Sequence, residues 1–347
     1  MEALLYAELA ARRAEVAGID PRLTDSLDRL TAHLQSGGKR LRPQFLCWGH
    51  RAAAPGPRPV PDGVLRAAAA LELIQACALI HDDIIDRSDT RRGQPSVHRA
   101  AEKEHAGSGW SGDSAHFGVS DALLLGDLAL VWADDLFQQG FAEQGRPEEA
   151  QAAWRAMRTE VLAGQLLDLR VTADEATDPT AAAADAMLVN RYKTAAYTVE
   201  RPLHIGAALG GASPATVRAL RSYGRSIGLA FQLRDDLLGV FGDPLVTGKP
   251  AGDDLIEGKK TVLLALARTD LVRSPDLAVL DGGLGARLDP AGVERLTAVI
   301  AGTSAPTRVE ERITALLDEG LAALEDLPAD AADGLRALAL AATSRRH

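Results

Sequence analysis

Three aspartates close an otherwise apolar run at Ile80-His81-Asp82-Asp83-Ile84-Ile85-Asp86-Arg87, which continues a stretch of helical spacing beginning near Val64. At about 100° per residue, Gln75, Asp82 and Asp86 fall within about 40° of one another, so one face presents an amide and two carboxylates. Like charges about 4 Å apart repel by about 4 kcal/mol at an effective dielectric near 20, so such a face calls for a cation. A second acidic segment, Phe231-Gln232-Leu233-Arg234-Asp235-Asp236-Leu237-Leu238-Gly239, places Gln232, Asp235 and Gly239 on one face, with Asp243 one turn further. Two such faces suit Mg²⁺, which takes carboxylate oxygens and waters and leaves positions for phosphate oxygens. Read singly, the first is compatible with a solvated helix end and the second with an amphipathic helix whose Asp235 and Asp236 face outward.

Positive charge gathers in complementary places. Gly37-Gly38-Lys39-Arg40-Leu41-Arg42-Pro43 sets three cations beside two glycines at a loop-to-helix junction, and Arg91-Arg92-Gly93 follows the first acidic helix by five residues. Lys193-Thr194 lies mid-helix, and Lys249, Lys259 and Lys260 punctuate the Gly-rich segment after the second acidic helix. Arginine offers a planar fork to phosphate oxygens, lysine a point charge, and glycine lets backbone approach closely. Any one of these runs reads as a solvated patch. Together with two metal-type carboxylate faces they imply a ligand bearing phosphates.

The elements that must position these residues are helical. Ala, Leu, Arg, Asp and Glu dominate the 347 residues, apolar residues make up 46% and aromatics only 4%, and alternating Val/Ile/Thr runs are scarce. Periodicity near 3.6 therefore prevails and the expected class is all-α. Breaks fall at 54–61, 106–118, 140–147, 172–180, 210–214 and 242–258, none long or biased enough for a linker, so the chain reads as one domain over 1–347. The net charge of −10 argues against a nucleic-acid coat. Cys47 and Cys77 form no ligand pattern, the start lacks a signal-peptide pattern, and the longest nearly apolar stretch, 67–80, is short of a bilayer span, so the expected location is the cytoplasm with no transmembrane segment.

In family order, these motifs resemble the all-trans polyprenyl diphosphate synthases: Gly37 to Pro43, Asp82-Asp83-Ile84-Ile85-Asp86 with Arg91-Arg92-Gly93, Gly164-Gln165, Lys193-Thr194, Phe231-Gln232 with Asp235-Asp236, and the lysine-bearing segment. The resemblance implies a large helical bundle around a central cavity, of the isoprenoid synthase type, and Mg²⁺-dependent head-to-tail joining of isopentenyl diphosphate to dimethylallyl, geranyl or farnesyl diphosphate. It assigns Mg²⁺ to Asp82, Asp86 and Asp235, with Asp83 and Asp236 as supporting acids of the metal set. It assigns the allylic diphosphate to Arg91, Lys193, Thr194, Gln232, Lys249 and Lys259, and isopentenyl diphosphate to Lys39, Arg42, Gln75 and Arg92. Asp82, Asp86, Arg91, Lys193 and Asp235 would carry catalysis. Gln75 stands where many relatives have His, and its amide N–H₂ also donates to phosphate. Gly239 stands where the pattern has a third Asp and is left out of the metal set, with Asp243 a candidate through water.

The implied reaction needs no protein nucleophile. The diphosphate leaves, the double bond of isopentenyl diphosphate attacks the allylic cation, and a proton passes to the departing diphosphate, while closure of the 243–260 segment would exclude water. Cys77 and Ala78, one turn before Asp82, are small where relatives that stop at fifteen carbons place an aromatic. The expected product is geranylgeranyl diphosphate, with a longer chain as the alternative; a class I terpene cyclase and a non-catalytic partner subunit are the remaining alternatives. The family further implies a homodimer, and the product's tail implies at most peripheral membrane contact.

Overall fold

Ala- and Leu-rich runs lose little rotamer freedom in a helix, and the chain follows that preference throughout. The computed structural model describes residues 1–56, 58–174, 178–242, 252–286 and 288–343. The order is α1 (Glu2–Ile19), a 3₁₀ turn (Pro21–Leu23), α2 (Thr24–Gln35), α3 (Leu41–Ala53), α4 (Asp62–Ile85), a hairpin of β1 (Thr90–Arg91) and β2 (Gln94–Pro95), α5 (Val97–Gly107), α6 (Ser114–Glu143) and α7 (Glu148–Ala173). Then come α8 (Pro179–Val189), a π-wound stretch (Asn190–Glu200), α9 (Arg201–Leu209), α10 (Pro214–Phe241), α11 (Asp253–Glu257), α12 (Val262–Leu271), α13 (Asp276–Gly283), α14 (Pro290–Ala301), α15 (Ala305–Ala322) and α16 (Ala329–Thr343). The all-α expectation holds, and the breaks are narrower than the sequence suggests, since α6 begins at Ser114 and runs to Glu143. The hairpin was not expected. Its signal is Arg92-Gly93, the two-residue loop between paired Arg91 and Gln94, with φ of 54° and 73° as a type I′ turn requires.

Although no linker is visible in the sequence, contacts group the chain into two compact units, Met1–Cys47 with Pro57–Pro147, and Trp48–Gly56 with Glu148–His347. In the first, α4 packs against α5 and α6. Ala67, Ala68, Ala69, Ala70 and Leu71 are all fully buried, as a helix apolar on every side must be. In the second, Leu233, Leu237 and Val240 of α10 pack with Leu255 of α11, Leu263 and Leu264 of α12 and Val309, Ile313 and Leu316 of α15. Burying one such leucine contributes about 1.5–3 kcal/mol. Tyr223 on α10 donates its hydroxyl to the Leu335 carbonyl at 2.7 Å, fastening α16.

Among the described residues two helices have the length and mean hydropathy of a membrane span, a longer reach than the 67–80 stretch suggests: α4, whose most apolar window is 72% buried, and α6, whose window is 28% buried. The first is a core helix of its unit. The second leaves Leu123, Leu124 and Val131 exposed.

Candidate active site

In the first unit, α4 carries the acidic motif to its C-terminal end, where Asp86 is the cap residue. Consecutive side chains diverge by about 100°, and the motif splits accordingly. Asp83 turns inward and is fully buried, while Asp82 and Asp86 stay partly accessible. Arg91 Nε donates to Asp83 Oδ1 at 2.9 Å, its Nη2 donates to the same oxygen, and Nη2 lies 3.6 Å from Asp82 Oδ2. The buried acid of the motif thus holds the hairpin that bears Arg91 and Arg92. Arg92 sits in the left-handed region, a strain of roughly 1 kcal/mol for a non-glycine residue. It donates to the Gly37 carbonyl and lies 3.3 Å from Ser36 Oγ.

The hairpin and the Gly37-Gly38 junction therefore collect cations. Burial, then the charges of Arg40, Arg91 and Arg42, lower the pKa of Arg92 against the opposing pull of Glu72. His33 feels the same field: burial, then Arg92 and Arg91, push its imidazole down to about 4. Arg40, one of the three cations at the junction, is engaged structurally. It ion-pairs with buried Glu72 of α4 and donates to the Leu34 carbonyl at 2.7 Å. Lys39 lies exposed beside it, Arg42 is half-buried in the first turn of α3, and Gln75 is half-buried on α4. Lys39, Arg42, Gln75 and Arg92 thus all belong to the unit that carries Asp82 and Asp86. Cys77 is buried with Sγ 3.8 Å from His81 Nδ1, whereas Ala78 is partly accessible. Burial pushes the Cys77 thiol up to about 12, so it stays protonated.

In the second unit Lys193 and Thr194 lie on the π-wound stretch, half-buried. Such windings are rare and concentrate at functional sites. Lys193 Nζ donates to Asp168 Oδ2 of α7 at 2.6 Å. The close approach depends on Gly164, where a Cβ would fall 2.4 Å from the Lys193 backbone nitrogen. The second acidic motif splits as the first does. Asp235 is exposed, and Asp236 is buried, accepting from Gln232 Nε2 at 2.8 Å and Asn190 Nδ2 at 3.2 Å. Burial raises Asp236 to about 7, helped by Asp254 and Asp235 and opposed by the two amides. Gln232, expected at the diphosphate, thus also serves Asp236. Arg234 points elsewhere, donating to the Thr343 carbonyl at 2.8 Å and pairing with Glu310. Lys259 Nζ lies 2.6 Å from Glu257 and 3.5 Å from Asp254. Lys249 and Asp243 lie outside the described residues.

A model of the polyprenyl synthetase family matches residues 24–278. The chain belongs to the polyprenyl synthetase family. It is a prenyltransferase that lengthens prenyl diphosphate chains, and its all-α fold is that of its structural relatives. This synthase is 33% identical to geranylgeranyl diphosphate synthase of Mycobacterium tuberculosis over 86% of its own chain and 78% of that protein. It is 30% identical to geranylfarnesyl diphosphate synthase of Aeropyrum pernix over 88% and 89%. A crystal structure of geranylgeranyl pyrophosphate synthase from Corynebacterium glutamicum, complexed with isoprenyl diphosphate and magnesium, matches it with a TM-score of 0.92 at 48% identity over 99% of this chain and 96% of that one.

Sequence reasoning passed over four residues that lie by the candidate residues or the cations beside them: His33 near Arg92, Glu72 on Arg40, Asp168 on Lys193 and Asp254 by Lys259. Asp168 had a signal, being an acid one turn after Gly164-Gln165 on α7. His33 and Glu72 are recognisable only through Arg92 and Arg40, partners distant in the chain.

Proposed function

We propose that this synthase joins isopentenyl diphosphate head-to-tail to an allylic diphosphate and releases the twenty-carbon geranylgeranyl diphosphate, using Mg²⁺. The observation that carries the reading is the common construction of the two acidic motifs. In each, one acid is buried and tied down, Asp83 by Arg91 and Asp236 by Gln232 and Asn190, while Asp82, Asp86 and Asp235 remain accessible.

Mg²⁺ is held by one or two protein carboxylates together with waters and phosphate oxygens. Asp82 and Asp86, one turn apart on α4 and both accessible, offer such a donor set, as does Asp235 on α10. Phosphate oxygens of the diphosphate would complete the shell. When bound, Mg²⁺ neutralises charge on the departing diphosphate. Asp83 and Asp236 serve from behind, fixing Arg91 and the Gln232 side of α10. Arg91, Lys193, Thr194, Gln232 and Lys259 bind the allylic diphosphate and stabilise it as it leaves; Lys249 joins them as a proposal from the sequence alone. Lys39, Arg42, Gln75 and Arg92 hold isopentenyl diphosphate with its double bond toward the allylic carbon. The lost proton passes to the released diphosphate.

The product length rests on Ala78, a methyl side chain with an accessible face one turn before Asp82. We further propose a homodimer formed through α6, where Leu123, Leu124 and Val131 are 46%, 62% and 57% exposed. A cytoplasmic location agrees with two free cysteines. We also propose one catalytic domain over 1–347; the family match, residues 24–278, reaches into both units.

The test is incubation of purified protein with Mg²⁺, labelled isopentenyl diphosphate and each allylic starter, with products sized after phosphatase treatment. A twenty-carbon alcohol is expected. A different dominant length overturns the product assignment, and no elongation from any starter overturns the reaction.

A further inference from the structure

Lys193 and Thr194 lie within the π-wound stretch, and α10 holds that stretch at both ends. At its first residue, Asn190 donates to Asp236 Oδ2 at 3.2 Å. At its last, Glu200 is 2% exposed, and its Oε1 accepts from Nε and Nη2 of Arg221 at 3.1 and 2.9 Å. Arg225 Nη2 lies 3.7 Å from the same oxygen, and Arg191 Nη2 lies 3.7 Å from Oε2. One buried carboxylate thus gathers three guanidinium groups, two from α10 and one from the start of the π stretch itself. The approach of Arg191 depends on the winding. A π stretch bonds i to i+5, so nine residues make about two turns and return Arg191 and Glu200 to one face. Nine residues of α-helix, at about 100° each, would set them on opposite faces. The backbone contacts follow the same winding. Gly224 and Gly228, one turn apart on α10, meet Glu200 and Ala195, five residues apart: a Cβ on Gly224 would fall 2.6 Å from the Glu200 Cα, and one on Gly228 2.7 Å from the Ala195 Cα. One α turn, about 6 Å of rise over those four residues, is thereby matched to one π turn; five residues wound as α-helix would rise about 7.5 Å and lose the register.

We propose that Glu200 is a positioning residue for Lys193: its arginine clamp holds the far end of the stretch in the π winding, and that winding sets the direction in which Lys193 faces. Lys193 precedes Glu200 by seven residues, and rewinding that interval as α-helix would turn it by roughly a third of a turn. The turn would carry Nζ away from Asp168 of α7, to which it now donates at 2.6 Å. The inference rests on the reading that Lys193 binds the allylic diphosphate, and the test separates the two.

The experiment is calorimetric titration of the full-length synthase with inorganic pyrophosphate in the presence of Mg²⁺, run as a double-mutant cycle with thermal melts as the folding control. Glu200→Gln keeps the size of the side chain and removes the charge that gathers the arginines. It is expected to weaken pyrophosphate binding about 10-fold, within the range of couplings carried by a backbone shift. In a Lys193→Ala background the same change is expected to cost less than about twofold, because the group it positions is gone. A Glu200 that only holds the fold would cost as much without Lys193 as with it. In turnover, Glu200→Gln is expected to lower kcat about 10- to 100-fold, as a misplacement of about 1 Å does, with the KM for isopentenyl diphosphate unchanged. Wild-type pyrophosphate binding or wild-type kcat in folded Glu200→Gln, or an equal loss of binding in both backgrounds, overturns the proposal. Should Glu200→Gln fail to fold, Arg221→Gln, at a half-buried position, takes its place in the cycle with the same outcomes. Wild-type pyrophosphate binding by Lys193→Ala overturns the underlying reading; weak binding there with wild-type binding by Glu200→Gln overturns the proposal alone.

Discussion

Arg91 and Asp83 are joined by two donations to one oxygen, Asp83 Oδ1, with the carboxylate fully buried beneath the hairpin. In the proposed reading Asp83 acts on the substrate through the arginine it holds. Removing one member of a buried ion pair leaves the other uncompensated, so Asp83→Ala is expected to destabilise the protein by about 3 kcal/mol and to raise the KM for the allylic diphosphate. Denaturant unfolding and steady-state kinetics check both.

The neighbouring acid behaves differently. Asp82 is partly accessible, with Oδ2 3.6 Å from Arg91 Nη2. Asp82→Ala is expected to abolish turnover while changing stability by less than about 1 kcal/mol. Retained turnover in a product assay refutes its assignment to the metal.

His33 reports on the cation cluster. Its folded pKa, about 4, lies below the ordinary 6.5, so below pH 6.5 the unfolded chain binds a proton that the folded one refuses. Stability is therefore full above pH 6.5 and falls toward pH 4, by up to about 3 kcal/mol, and His33→Gln is expected to flatten that part of the profile. Isopentenyl diphosphate bound at Arg92 would offset the field and raise the His33 pKa. NMR titration with and without the diphosphate measures this, and an unmoved pKa places the anion elsewhere.

Gly164 lets α7 meet the π-wound stretch, its Cβ position 2.4 Å from the Lys193 nitrogen. Gly164→Ala forces the two apart at a cost of about 1–3 kcal/mol and shifts Lys193 relative to Asp168. Its kcat is expected to fall more than its KM for isopentenyl diphosphate rises, measured alongside a thermal melt.

Along the proposed product path, Ala78 and Cys77 part company. Ala78 has an accessible face, and Ala78→Phe is expected to shorten the products. Cys77 is buried against His81, so Cys77→Phe overpacks α4 and is expected to lower stability by about 1–3 kcal/mol. Product sizing and melts distinguish the two, and an unchanged length distribution in Ala78→Phe shows that the chain does not pass that side chain.

The sequence by itself determined the helices and the places of the chemical motifs along them, because helical periodicity and family spacing are local properties. It could not say which of two consecutive acids turns inward, since a helix's own pattern does not name its neighbour: Asp83 and Asp236 went to the interior and Asp82 and Asp235 did not. Nor could it pair Arg40 with Glu72, Lys193 with Asp168, or Gly239 with Asp254, partners that are apart in the chain and meet only when helices pack. Those contacts decide which charges are spent on holding the fold and which are left for phosphate and metal. That division is made by tertiary packing, because a charge loses its water only where another element covers it.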